Sequence, residues 1–291
     1  MTLLTTIQEA AQELALVKPS SVYSATTDLM AQQLLTHANR TGKELRSKYD
    51  WPELVKEYTF TLATSTASYA MPGDFDRFAH MTHWDRDQQW EVAGPIDAED
   101  WQFLKSGTTT IRPRRRWRFK TFETKQFFVD PTPVAADNGV TLVFEYYSKN
   151  WLRPKLWVTA TVFAANAYSF YNGNYYQTTA GGTTGATPPT HTSGSVSDGT
   201  VTWTYISAAY DTYGADTDVS HLDENLIAMG VKWRYRLAHN LPGWEVMKAE
   251  YEFEAKKLSS NNRGARTLNM NEGRWRTMLP YPHTPENGFG T

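Results

Sequence analysis

The chain has 291 residues, 40% hydrophobic and 14% aromatic, enough to bury a sizeable core in one large or two smaller domains. A formal net charge of -2 leaves any nucleic-acid contact to a local patch, and the absence of cysteine excludes disulfides, thiolate metal sites and cysteine nucleophiles. The first residues lack the basic start and apolar run of a signal peptide, and no stretch is apolar over a membrane-spanning length, which predicts a chain that stays in the cytoplasm until it is assembled, with no membrane partner.

Leu3, Ile7, Ala10, Ala11 and Leu14 recur at helical spacing and predict a short amphipathic helix closed by Pro19. A second helix is predicted from about Thr27 to Lys48, with Met30, Leu34, Ala38, Thr41 and Leu45 on one face. Gly42 inside it should weaken it by about 1 kcal/mol. From Glu57 to Tyr147 the period changes to two, as in Tyr58, Phe60 and Leu62 or Leu142, Phe144 and Tyr146, which predicts strands. Turn chemistry at Met71–Asp74, Asp130–Pro133 and Asp137–Gly139 separates them, and Asp97 is placed to cap a short helix over Ala98–Lys105.

From Lys155 to Ser207 the chain is rich in Thr, Gly, Tyr and Asn and nearly free of charge. That shift predicts an inserted β-module, 155–207, of short strands joined by turns. Beyond it, Ser220–Asp223 reads as a capping box opening a helix that carries Leu222, Leu226, Met229, Trp233 and Leu237, stopped by Pro242 and Gly243. A last helix is predicted from Trp244 to about Leu258, with Met247, Tyr251 and Ala255 on one face and Glu252 with Lys256 as a surface pair. Residues 259–291 lack the periodicity of a folding segment yet carry Arg263, Arg266, Arg274, Trp275, Arg276, Tyr281 and Phe289, residue types enriched at interface hot spots. They predict an extended docking arm. The fold class is α+β: a helical bundle from the N- and C-terminal helices (1–154 and 208–258 forming one domain with a β-rich central region) and a small all-β insertion domain.

Two constellations invite chemistry. Arg112, Arg114, Arg115, Arg116, Arg118 and Lys120 fall within one ten-residue run. Alternation sends Trp117 and Phe119 to one face and Arg116, Arg118 and Lys120 to the other, so the cluster suits either phosphates of nucleic acid or acidic groups of a protein neighbour. Tyr171, Tyr175, Tyr176 and Trp203 of the insert could stack on sugar rings or form the module's own core. His80 and His83 point to opposite faces of a strand and make a poor metal pair. The sequence holds no nucleophile elbow, phosphate loop or zinc-binding His-Glu pattern, so neither catalysis nor a cofactor is expected.

Tyr69–Phe78, Trp84–Arg86, Gly94–Gln102, Phe127–Pro133, Phe144–Trp151 and Asp216–Glu224, taken in order, resemble the head-to-tail adaptor proteins of tailed bacteriophages. The resemblance implies a twelve-membered ring beneath the portal protein in the virion, bound to the next tail or nozzle component, with genomic DNA passing near. The insert departs from that pattern. Its Tyr171–Thr183, Ala186–His191 and Asp198–Tyr205 are similar to a small module of phage surface proteins and to carbohydrate-binding modules of chitinases, which implies, as an alternative, host recognition through a surface glycan.

Overall fold

The computed structural model describes residues 1–25, 27–106, 114–121, 124–153, 155–207 and 209–261. Helix α1 (Leu3–Glu13) begins at a capping box between Thr2 and Thr5 and ends before Ala15, which takes a left-handed backbone. Helix α2 (Leu29–Lys48) starts where the Asp28 carboxylate accepts the Met30 and Ala31 N–H groups. Short strands follow: β1 (Val55–Thr61), β2 (Ser68–Ala70), β3 (Phe75–Phe78), β4 (Trp84–Asp85) and β5 (Trp90–Glu91). Asp97 caps α3 (Ala98–Ser106), accepting the Asp100 N–H at 2.8 Å. Next come β6 (Arg116–Lys120), β7 (Gln126–Asp130), β8 (Thr141–Ser148) and β9 (Leu152–Arg153). The segment of altered composition holds β10 (Val162–Phe163), β11 (Tyr168–Tyr171), β12 (Asn174–Thr178), β13 (Gly182–Thr183), β14 (Ser195–Asp198) and β15 (Val201–Ser207). Strand β16 (Val219–Ser220) leads to α4 (Glu224–Ala238) and α5 (Trp244–Asn261). The mixture of helices and antiparallel strands makes the fold α+β, as the two periodicities predict.

The described chain divides into two compact units. The first comprises Met1–Val55, Gly73–Asp76 and residues 147–261. Within it α4 packs against α1, α2 and α5, burying Ile7, Leu34, Leu45, Leu226, Val231 and Tyr251 in one cluster. Two glycines allow close approach. A Cβ at Gly42 would lie 2.3 Å from the ring of Trp151, and one at Gly230 would lie 2.2 Å from Thr41. Arg234, buried on α4, donates to the Thr41 hydroxyl at 2.7 Å and pairs with Glu44, so a charged latch joins α2 to α4.

Residues 155–207 belong to this same unit, a division different from the one composition suggests. Their main sheet runs β11-β12-β15-β14. On one face Tyr176, Val201 and Trp203 close a small core with Phe163. On the other, Tyr168, Phe170 and Tyr175 join the main cluster, with Tyr175 stacked on Tyr210 at 4.3 Å. At the root, β9 pairs with β16.

The second unit comprises Lys56–Pro72 and Arg77–Tyr146 among the described residues. One sheet runs β1-β8-β4-β5, with β3 also on β8, and another runs β2-β7-β6. Rings from both sheets meet: Phe127 of β7 lies 5.5 Å from Phe60 and 5.4 Å from Phe144, while Phe78 lies 4.8 Å from Trp117.

Three local expectations change. Pairing with β9 holds Ser220 extended, so α4 starts later, at Asp223, which accepts the Leu226 N–H at 3.2 Å; Ser220 instead accepts from Leu222, which lies outside the helix. Helix α5 continues to Asn261, past the predicted end at Leu258. Glu252 reaches across to Lys48 of α2 at 3.2 Å, where a pair with Lys256 is predicted.

Candidate assembly surfaces

The residues that carry the motif resemblance act as structural latches. Asp216 accepts the N–H groups of Val22 (3.0 Å) and Tyr23 (2.7 Å) and the Ser21 hydroxyl (2.6 Å), fixing the loop between α1 and α2. Its carbonyl and that of Asp218 accept from Leu4 and Leu3, satisfying two of the free N–H groups at the start of α1. The Asp218 carboxylate accepts the Tyr210 hydroxyl and the N–H groups of Gly214 (2.7 Å) and Ala215 (2.9 Å). Burial pushes its pKa up, against these donors, which favour the charged form. Burial also raises the Tyr210 and Tyr175 hydroxyls far above the ordinary phenol range, so both stay neutral. A second latch sits at Asp74, which accepts the Ser148 hydroxyl at 2.6 Å, while Asn150 accepts the Tyr210 N–H at 2.6 Å.

The basic run is not carried into one free patch. Arg115, only 12% exposed, pairs with Asp85, itself 1% exposed, and with Asp137 at 2.5 Å. It is therefore an internal bridge, and its assignment to a DNA or partner interface is corrected, because breaking the pair would leave Asp85 charged and buried. The Arg114 guanidinium lies 5.7 Å from the centre of the Trp90 ring, and burial pulls its pKa down. Arg116, Arg118 and Lys120 alternate with buried Trp117 along β6, with Lys120 4.6 Å from the Phe128 ring. Arg112 lies outside the described residues.

Three of the four rings offered for sugar stacking are core. Tyr175, Tyr176 and Trp203 are at most 1% exposed and present no face to a ligand. Adjacent strand residues point to opposite faces, so Tyr175 enters the main cluster and Tyr176 the smaller one. Tyr171 alone stays partly exposed, edge-on to Trp157 at 5.8 Å. Asp198 organises the small core: one oxygen accepts the Trp157 and Trp203 indole N–H groups, at 2.8 and 3.2 Å, and the other accepts the Gly185 N–H at 2.8 Å.

His83 is buried in the second unit, stacked 3.9 Å from Trp117. Desolvation lowers its pKa to about 3, leaving a neutral ring among aromatic neighbours. Among the described residues no group of three His, Asp or Glu side chains could hold a metal ion, and no helix is long and apolar enough to cross a membrane.

Arg263, Arg266, Arg274, Trp275, Arg276, Tyr281 and Phe289 of the expected docking arm lie outside the described residues. A surface the sequence reading missed is the outer face of α5. Val246 and Phe253, 63% and 69% exposed, lie seven residues apart on the side opposite buried Tyr251 and Ala255, and Leu241 is exposed just before the helix. The signal in the sequence was the pair Val246 and Phe253, seven residues apart and off the face of Met247, Tyr251 and Ala255.

Hydrogen-bonded carboxylates thus fasten loops to helices, and α5 leaves Val246 and Phe253 exposed. Residues 1–168 match the family described as SU10 adaptor protein, and the chain belongs to that family. It is thus a structural phage adaptor, a virion component that associates with other head and tail proteins. The match ends within β11, so the Asp216–Glu224 latch lies beyond it. No curated protein matches the chain.

Proposed function

We propose that this adaptor forms a homo-oligomeric ring, twelve subunits as the family resemblance implies, that joins the portal to the downstream tail or nozzle protein without catalysing a reaction. The observation that carries the self-assembly is the outer face of α5. Val246 and Phe253 expose large apolar side chains on a helix whose other face is already buried, and a second copy of the chain would cover them. Residues 262–291 dock onto the portal or a neighbouring subunit, an expectation that rests on their arginines and aromatics.

Mass measurement and class-averaged images of the purified protein, alone and mixed with a candidate portal protein, test this reading. A discrete ring that adds to the portal is expected; a monomer that forms no complex with it refutes the proposal. Because α5 extends to Asn261 and buries Ser259, the informative truncation removes residues 262–291 and leaves the helix whole. It should abolish assembly while the unfolding midpoint stays unchanged, and unchanged assembly would remove the docking role.

A further inference from the structure

The outer face of the sheet β1-β8-β4-β5 carries a cleft of about 420 Å³. Its walls include Glu57, Met81, Trp84, Arg86, Val143 and Glu145. Val143 and Glu145 are two apart on β8 and so share a face, opposite that of Leu142, Phe144 and Tyr146; Val143 is buried and Glu145 half-buried. The Glu145 carboxylate is half-buried and makes no hydrogen bond or ion pair with any described residue. Beside it, Glu57 pairs with Arg86 at 2.8 Å, but both side chains are more than half exposed, so this pair exchanges partners easily. The cleft thus offers one half-buried carboxylate without a partner among the described residues, a second that can be recruited, and an apolar wall.

We infer that this cleft receives the C-terminal segment of a second copy of the chain, through Arg274, Arg276 and Met278. The inference rests on the reading of residues 262–291 as a docking arm. Three features of the segment fit the cleft. In an extended chain Arg274, Arg276 and Met278 point the same way, which presents two guanidiniums to Glu145 and Glu57 and an apolar side chain to the wall of Met81, Trp84 and Val143. The charges are complementary: residues 263–276 contain Arg263, Arg266, Arg274 and Arg276 against Glu272 alone. Arg274 also follows the end of α5 by enough chain to span up to about 40 Å, a reach that extends the segment beyond its own helix toward a neighbouring copy.

The test places the photo-crosslinking residue p-benzoylphenylalanine at Met278 of the full chain and mixes light and isotopically heavy protein. Cross-links from 278 to residues 79–91 or 141–145 are expected, in mixed light–heavy pairs. Glu145→Arg should lower their yield about tenfold, and adding Arg274→Glu with Arg276→Glu should restore it. Cross-links confined to other segments, confined to one copy, or undiminished by Glu145→Arg overturn the inference. If removing residues 262–291 leaves assembly intact, the docking role itself fails; loss of assembly with cross-links elsewhere overturns only the assignment of the cleft.

Discussion

Asp198 and His83 are buried polar groups accommodated in different ways. Asp198 has both oxygens occupied by N–H donors, which satisfy its hydrogen-bonding capacity inside the small aromatic core. Asp198→Ala would strand three N–H donors, that of Trp203 buried and those of Trp157 and Gly185 partly so, and should destabilise the fold by about 2 kcal/mol, read as early loss of hydrogen-exchange protection in β14 and β15. His83 is neutral when folded, with a pKa near 3, against the ordinary 6.5 once unfolded. Its folded value is depressed, so between these limits the unfolded chain binds the extra proton. The stability this provides is whole above pH 6.5 and declines as pH falls toward 3. Urea unfolding should therefore weaken by about 2 kcal/mol between pH 6.5 and 5 through this residue. His83→Phe keeps a flat ring against Trp117 and should remove that part of the slope; an unaltered slope would mean that the buried imidazole is not its source.

At the scale of elements, the close approach of Trp151 to α2 reverses the usual meaning of a glycine in a helix. Read from sequence, Gly42 is a defect worth about 1 kcal/mol. In the structure it is the only residue type that leaves room for the Trp151 ring, which is fully buried and tied by its indole N–H to the Asp211 carbonyl at 2.9 Å. Gly42→Ala should gain helix propensity yet lose more to overlap, a net destabilisation of about 2 kcal/mol visible as a lower urea midpoint. This contrast shows what was legible. Helices α1, α2, α3 and α5 could be read because their caps and apolar periods are local, and the strands because alternation is local too. The start of α4 could not, since the competing partner of Ser220 is β9, far away in the chain. Nor could the inward turn of Arg115 and Arg234, because the carboxylates that receive them, Asp85, Asp137 and Glu44, lie on other elements. The rings of β12 were legible as aromatic but not as divided between two cores, a consequence of the sheet being covered on both faces.

For the whole molecule, the proposed ring rests on the outer face of α5, where Val246 and Phe253 are exposed. A 69% exposed Phe253 contributes little to the fold of one subunit, since most of its surface meets water in the monomer. Covered by a second copy, the same side chain would bury an apolar area worth about 2 kcal/mol at each contact. A ring repeats its contact at every subunit, so a small loss per contact multiplies around it. Phe253→Arg puts a charge where the neighbour would sit, and desolvating that charge opposes closure. The expected outcome is a fall from the ring mass to monomers or short open oligomers, while circular dichroism and the urea midpoint stay within about 0.5 kcal/mol of the parent. A variant that unfolds would show instead that Phe253 is needed within the subunit, and one that keeps the full ring mass would place the subunit contact on another face.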